Sequence, residues 1–222
     1  MISLACRTAG SGDHLILLHG NGGDSTDFSE QISYFSQFRQ VTAVDTRGHG
    51  NSPRGEKPMS FPQFADDLRD FLNEHHIENA DILGFSDGAN TAILFAAKYP
   101  EKVNRLILCG ACITPKAVKR SVQIPITLGY AIASRFKNPD AQKNAEILGL
   151  MVKDFGISEE HLEQIQAETL VLAGTKDMIT ESHTKLIAEK IPNAKLQFIE
   201  GDHFLPMKNA DAFNSVVKAF LP

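Results

Sequence analysis

Asp81-Ile82-Leu83-Gly84-Phe85-Ser86-Asp87-Gly88 is a short apolar run ending in a G-x-S-x-G pentapeptide, and Ala89 to Lys98 continues it as a helix-forming stretch closed by Tyr99-Pro100. The run reads as a buried strand, and glycines at 84 and 88 permit a tight strand-to-helix turn with Ser86 at its apex. Such a turn lifts the serine hydroxyl above a sheet and directs the dipole of the following helix at it. The pentapeptide alone also occurs in ordinary glycine-bearing turns. The strand before it and the helix after it favour a nucleophile.

The same alternation runs outward in both directions. His14 to His19 is an apolar run stopped by Gly20-Asn21-Gly22-Gly23. Thr26–Phe38 and Phe61–His75 space their phenylalanines and leucines as helix faces, around a strand over Gln40–Val44. Beyond the elbow, strands are predicted at Arg105–Cys109, Thr169–Ala173 and Lys195–Ile199, with helices at Ser182–Lys190 and Ala210–Phe220. Repeated βα units with near-continuous apolar strands predict an α/β fold, a mostly parallel doubly wound sheet covered on both faces. Sites in such sheets gather at the carboxyl ends of the strands. Between residues 113 and 165 the rhythm breaks at Pro115, Pro125, Pro139 and Gly156, and no strand is expected there. The chain is therefore expected to be one domain over 1–222, with 113–165 inserted as a short helical lid.

A serine hydroxyl needs a base to act as a nucleophile, and that base comes from elsewhere in the chain. Asp177 follows the strand ending at Ala173, and His203 follows the strand ending at Ile199. The order Ser86, Asp177, His203 suits this fold and differs from the orders of trypsin-like and subtilisin-like enzymes. His14, His75, His76, His161 and His183 fall on strand starts or helices and read as solvated surface groups. The glycine-rich loop after His19 allows close approach of backbone N–H groups, so the oxyanion hole is assigned to the N–H groups of Asn21 and Asp87. The same loop lacks both G-x-x-x-x-G-K-[ST] and G-x-G-x-x-G, which argues against nucleotide binding.

Two side chains carry a further expectation for substrate binding. Asp87 stands beside the nucleophile and either recognises an ammonium group or caps the helix that starts there. Cys112 leaves a strand end near the lid and is expected to line the pocket. Cys109 and Cys112 spell C-x-x-C, but no second cysteine pair or H-x₃₋₅-H completes a metal site, so no metal is assigned. The lid carries Lys116, Lys119, Arg120, Arg135, Lys137 and Lys143 against Asp140, interleaved with the apolar stretch Ile124 to Ala133; a solvated face is the plain reading and attraction of acidic substrates the sharper one.

A chain of 222 residues with 42% hydrophobic content can bury a large core. Its net charge of −5, without runs of one sign, provides no footprint for nucleic acid or an anionic membrane. The start Met1 to Cys6 lacks the features of a signal peptide, and no apolar run approaches a membrane span. A cytoplasmic protein with reduced thiols is expected, acting as a monomer or homodimer on a small molecule.

From His19-Gly20 through Ser86 and Asp177 to Gly201-Asp202-His203, the sequence resembles the α/β-hydrolase family. Asp45-Thr46-Arg47-Gly48-His49-Gly50-Asn51-Ser52 is similar to that family's D-x-R-G-x-G-x-S loop. The serine-aspartate-glycine elbow resembles its valacyclovir hydrolase and biphenyl-hydrolase-like branch. The resemblance implies a lid before the penultimate strand, no cofactor and a serine hydrolase cleaving a small ester through an acyl-enzyme. Residue 1 lies so close to His19 that the family's first strand is expected to be absent. Serine at the elbow argues against the dehalogenase and epoxide-hydrolase branches, which use aspartate there. A carbon–carbon bond hydrolase or lyase on a small keto acid, or a slow-turnover ligand receptor, are the alternatives.

Overall fold

The computed structural model describes residues 2–222. Among them seven strands form one sheet: β1 (Cys6–Ala9), β2 (His14–Leu18), β3 (Gln40–Val44), β4 (Ala80–Phe85), β5 (Val103–Cys109), β6 (Glu168–Gly174) and β7 (Ala194–Ile199). Their order across the sheet is β1-β3-β2-β4-β5-β6-β7, with β1 antiparallel to β3 and the other neighbours parallel. The helices are α1 (Ser29–Phe35), α2 (Phe61–Glu74), α3 (Asp87–Lys98), α4 (Arg120–Ala133), α5 (Pro139–Leu150), α6 (Glu159–Glu163), α7 (Glu181–Lys190), α8 (Leu205–Lys208) and α9 (Ala210–Phe220). The doubly wound α/β architecture expected from the sequence is the one observed.

Strand periodicity explains the two layers. Successive side chains point to opposite faces of a sheet. Ile16, Leu18, Ile82, Leu106 and Val171 accordingly join one core with α2 and α3, while Leu15, Leu17, Leu83, Ile107 and Leu172 join a second core with α1 and α9. Helix α2 begins at Ser60, whose side chain accepts from the Gln63 N–H, and buries Phe61, Phe64, Leu68, Phe71 and Leu72 along one stripe.

The span between β5 and β6 holds α4, α5 and α6, and no strand is assigned within it. Its chemistry departs from expectation in one respect. Helix α4 has no buried residue, and Ile124, Leu128 and Ile132 on its outer side are exposed. The solvated face was expected to be the charged one. No helix among the described residues is long and apolar enough to cross a membrane.

Candidate active site

Strand β4 is buried at every position and passes directly into α3 through Ser86, whose φ of 54° and ψ of −117° leave the ordinary helical and extended regions. The flanking glycines make this turn possible. A Cβ at Gly84 would stand 2.5 Å from the Gly88 carbonyl oxygen, and one at Gly88 would stand 2.0 Å from that of Leu18. These are contacts with backbone, so the neighbours cannot yield. The elbow is held further by the Ser86 N–H, which donates to the Cys109 carbonyl at 2.8 Å.

The loops after β6 and β7 bring the other two predicted residues to the serine. His203 Nε2 lies 2.9 Å from Ser86 Oγ, and its Nδ1 lies 2.7 Å from Asp177 Oδ1. Asp177 is fixed in turn: Oδ1 accepts from the Ile179 N–H at 2.9 Å and Oδ2 from the Gly174 N–H at 3.4 Å. Asp202, the neighbouring carboxylate, is directed elsewhere and pairs with Lys208 at 2.5 Å. All three members of the chain are buried. The Phe85 ring supports the imidazole from one side, with centroids 5.1 Å apart.

Ser86 and His203 open into a cleft of about 450 Å³, large enough to take a small organic molecule. Its floor includes Gly20 to Gly23, and its walls are Val122 and Ile126 of α4, Met151, Met178, Phe204 and Met207. Asp27 contributes an acid, and no lysine or arginine lines it among the described residues. Burial and the nearby Asp24 raise the Asp27 carboxyl above its ordinary range.

A family model described as alpha/beta hydrolase fold matches residues 13–148, which is more than half of the chain. This chain belongs to the α/β-hydrolase family. Among its relatives, Serine hydrolase BPHL of Mus musculus is 29% identical over 246 residues, covering 99% of this chain and 83% of the relative. The 2-hydroxymuconate semialdehyde hydrolase of Pseudomonas putida is 27% identical, covering 96% and 88% respectively. The solved enol-lactonase from Burkholderia xenovorans LB400 shares the fold, with a TM-score of 0.82 at 21% identity over 99% of this chain and 96% of that one. Family membership makes the chain a hydrolase.

In this hydrolase the remaining predicted residues divide. Asn21 and Asp87 are adjacent: Asn21 Nδ2 donates to Asp87 Oδ2 at 2.8 Å and to the Ile147 carbonyl of α5 at 2.9 Å. The Asp87 carboxylate therefore binds a side chain, and no capping bond from it to the N–H groups of α3 is formed. Burial pushes its pKa from 3.8 up to about 6, against the Asn21 hydrogen bond and the positive potential of His203. Neither Asp87 nor Cys112 is among the residues that line the cleft. Cys112 is drawn away by Asn90, whose Oδ1 accepts its backbone N–H at 2.8 Å. Burial raises the Cys112 thiol to about 12 and Cys109 well above its ordinary value, so both lack thiolate character.

Three contributors escape a reading by motif. Gly110, with φ of +65°, ends β5 where a Cβ would meet His203 Cε1 at 2.5 Å, so its lack of a side chain makes room for the imidazole. His19 Nε2 accepts from the Thr46 N–H at 3.0 Å, tying the glycine loop to the segment after β3. His183, expected at the surface, accepts from the Ile113 N–H at 3.1 Å and anchors the start of the span between β5 and β6. Unusual φ and tertiary hydrogen bonds leave no periodic trace in sequence; only the glycine itself was a signal.

Proposed function

We propose that this hydrolase cleaves small esters, ahead of thioesters and activated amides, through an acyl-enzyme on Ser86. His203 removes the Ser86 proton as Oγ attacks the acyl carbonyl, and Asp177 holds the imidazole in the required tautomer and stabilises the imidazolium. The N–H groups of Asn21 and Asp87 receive the developing oxyanion, each worth about 3 kcal/mol in comparable sites. His203 then returns the proton to the leaving alcohol. Water, activated by the same imidazole, releases the acid and restores Ser86. Residues 113–165 act as the lid that supplies Val122, Ile126 and Met151 to the acyl pocket.

The observation that carries this reading is the unbroken hydrogen-bond chain Ser86–His203–Asp177 at the mouth of an apolar cleft. Methionine-rich walls suit an uncharged acyl group of variable shape. A second reading, carbon–carbon bond hydrolysis of a keto acid, draws on the likeness to the Pseudomonas putida hydrolase. The lining disfavours it, since an acidic substrate would meet Asp27 and no cation. The two readings separate on a panel of p-nitrophenyl esters set against an unsaturated keto acid. Turnover of the esters, falling by about 10⁴-fold or more in His203→Ala, is the expected result. Turnover of the keto acid alone would overturn the ester assignment.

A further inference from the structure

Helix α4 is apolar on two opposite sides. Val122 and Ile126 face the Ser86 cleft. Ile124, Leu128 and Ile132, spaced four apart on the outer side, are 56%, 59% and 58% exposed, whereas Phe136, beyond the end of the helix, lines a separate cavity with Tyr130 and Glu146. The other large apolar side chains that the described residues expose, Phe38, Phe136, Leu196 and Phe204, are scattered over other segments. A contiguous apolar row of this kind marks a contact surface, because water penalises it and nothing in the fold requires it.

The sequence of α4 and its immediate flanks, unlike the chain as a whole, carries charge of one sign. Residues 113–139 carry Lys116, Lys119, Arg120, Arg135 and Lys137 and no aspartate or glutamate, in a chain whose net charge is −5. Lys119 turns inward to donate to the Asp177 carbonyl. Lys116, Arg120, Arg135 and Lys137 are exposed and form no ion pair among the described residues. Arg120 opens α4, where a cation opposes the helix dipole. Helix stability therefore does not account for its position.

We propose that the outer face of α4 docks on an anionic lipid bilayer. Ile124, Leu128 and Ile132 enter the boundary between headgroups and acyl chains, while the cations at both ends of the helix meet the anionic headgroups. A second copy of this chain is the competing occupant. Pairing two such rows, parallel or antiparallel, sets cationic ends against cationic ends, and that repulsion works against a dimer. An anionic bilayer supplies the opposite sign. Docking also places the bilayer on one side of the helix and the Ser86 cleft on the other.

Co-sedimentation of the full chain with phosphatidylcholine vesicles, with and without phosphatidylserine, tests this. The Ser86→Ala variant is used, so the outcome is independent of the proposed chemistry. Binding is expected only to the phosphatidylserine vesicles, weakening as salt rises. Arg135→Gln with Lys137→Gln should lower the affinity about 25-fold, near fivefold for each cation. Leu128→Ser with Ile132→Ser should abolish it. In a Ser86 background, both double variants should keep wild-type turnover of a soluble ester. Because the charge variants alter only exposed side chains, they remain informative if the apolar pair fails to fold. Absence of vesicle binding, equal binding to neutral vesicles, or a dimer in sedimentation equilibrium that Leu128→Ser dissociates would each overturn the proposal.

Discussion

At position 87 the backbone and the side chain have separate fates. The N–H sits beside the nucleophile, while the carboxylate is buried against Asn21 and has a pKa of about 6, against an ordinary 3.8. Between about pH 4 and 6 the unfolded chain gives up this proton before the folded one does, so the Asp87 contribution to stability falls as pH rises. Above about 6 the cost of the buried charge is fully present. His49 works in the opposite sense: burial and the neighbouring His19 lower it from 6.5 to about 4. Its contribution is complete above 6.5 and is lost as pH falls toward 4. Asp87→Asn keeps an acceptor for Asn21 and removes only the charge. In urea titrations the variant should exceed wild type by on the order of 2–3 kcal/mol at pH 7.5 and match it below about pH 4. A difference that stays constant with pH would show that Asp87 is not the titrating group.

Between elements, the decisive features are turns where one backbone passes another. Gly84 and Gly88 were legible in the sequence, because the pentapeptide follows a strand and opens a helix. Gly110 was not, since the imidazole it clears arrives from a loop more than ninety residues later. Gly110→Ala should push His203 off Ser86, lowering kcat by about 10²-fold, as expected for a displacement on the order of 1 Å, with KM little changed. The left-handed φ adds about 1–2 kcal/mol of destabilisation, measurable by denaturant titration. Unaltered kcat in a folded variant would mean that the ring has room to spare. Strand and helix positions were mostly read to within a residue or two, the helix predicted over Thr26–Phe38 overrunning α1 by three residues at each end, because periodicity reports burial in regular elements. The inserted span resisted such reading. Its prolines announced a break, but which side of α4 meets the cleft depends on packing against loops far away in sequence.

Across the whole molecule, the parallel sheet brings the carboxyl ends of β4, β6 and β7 to one edge, with β5 between the first two, so residues 86, 177 and 203 meet without any local signal linking them. Chain order and position after a strand were enough to expect these three side chains to meet. The pocket walls were not legible, since Met151, Met178 and Met207 are ordinary apolar residues until the fold aligns them. Placement of Cys112 on the pocket wall failed for the same reason: nearness to the insertion in sequence did not reveal that Asn90 holds its backbone to α3. Ser86 is proposed as the nucleophile, activated by His203. The most direct test of that role is treatment of the folded protein with a fluorophosphonate, followed by peptide mass spectrometry. One covalent adduct is expected, located on Ser86, absent in Ser86→Ala and strongly slowed in His203→Ala. An adduct elsewhere, or labelling of Ser86→Ala at the wild-type rate, would contradict it.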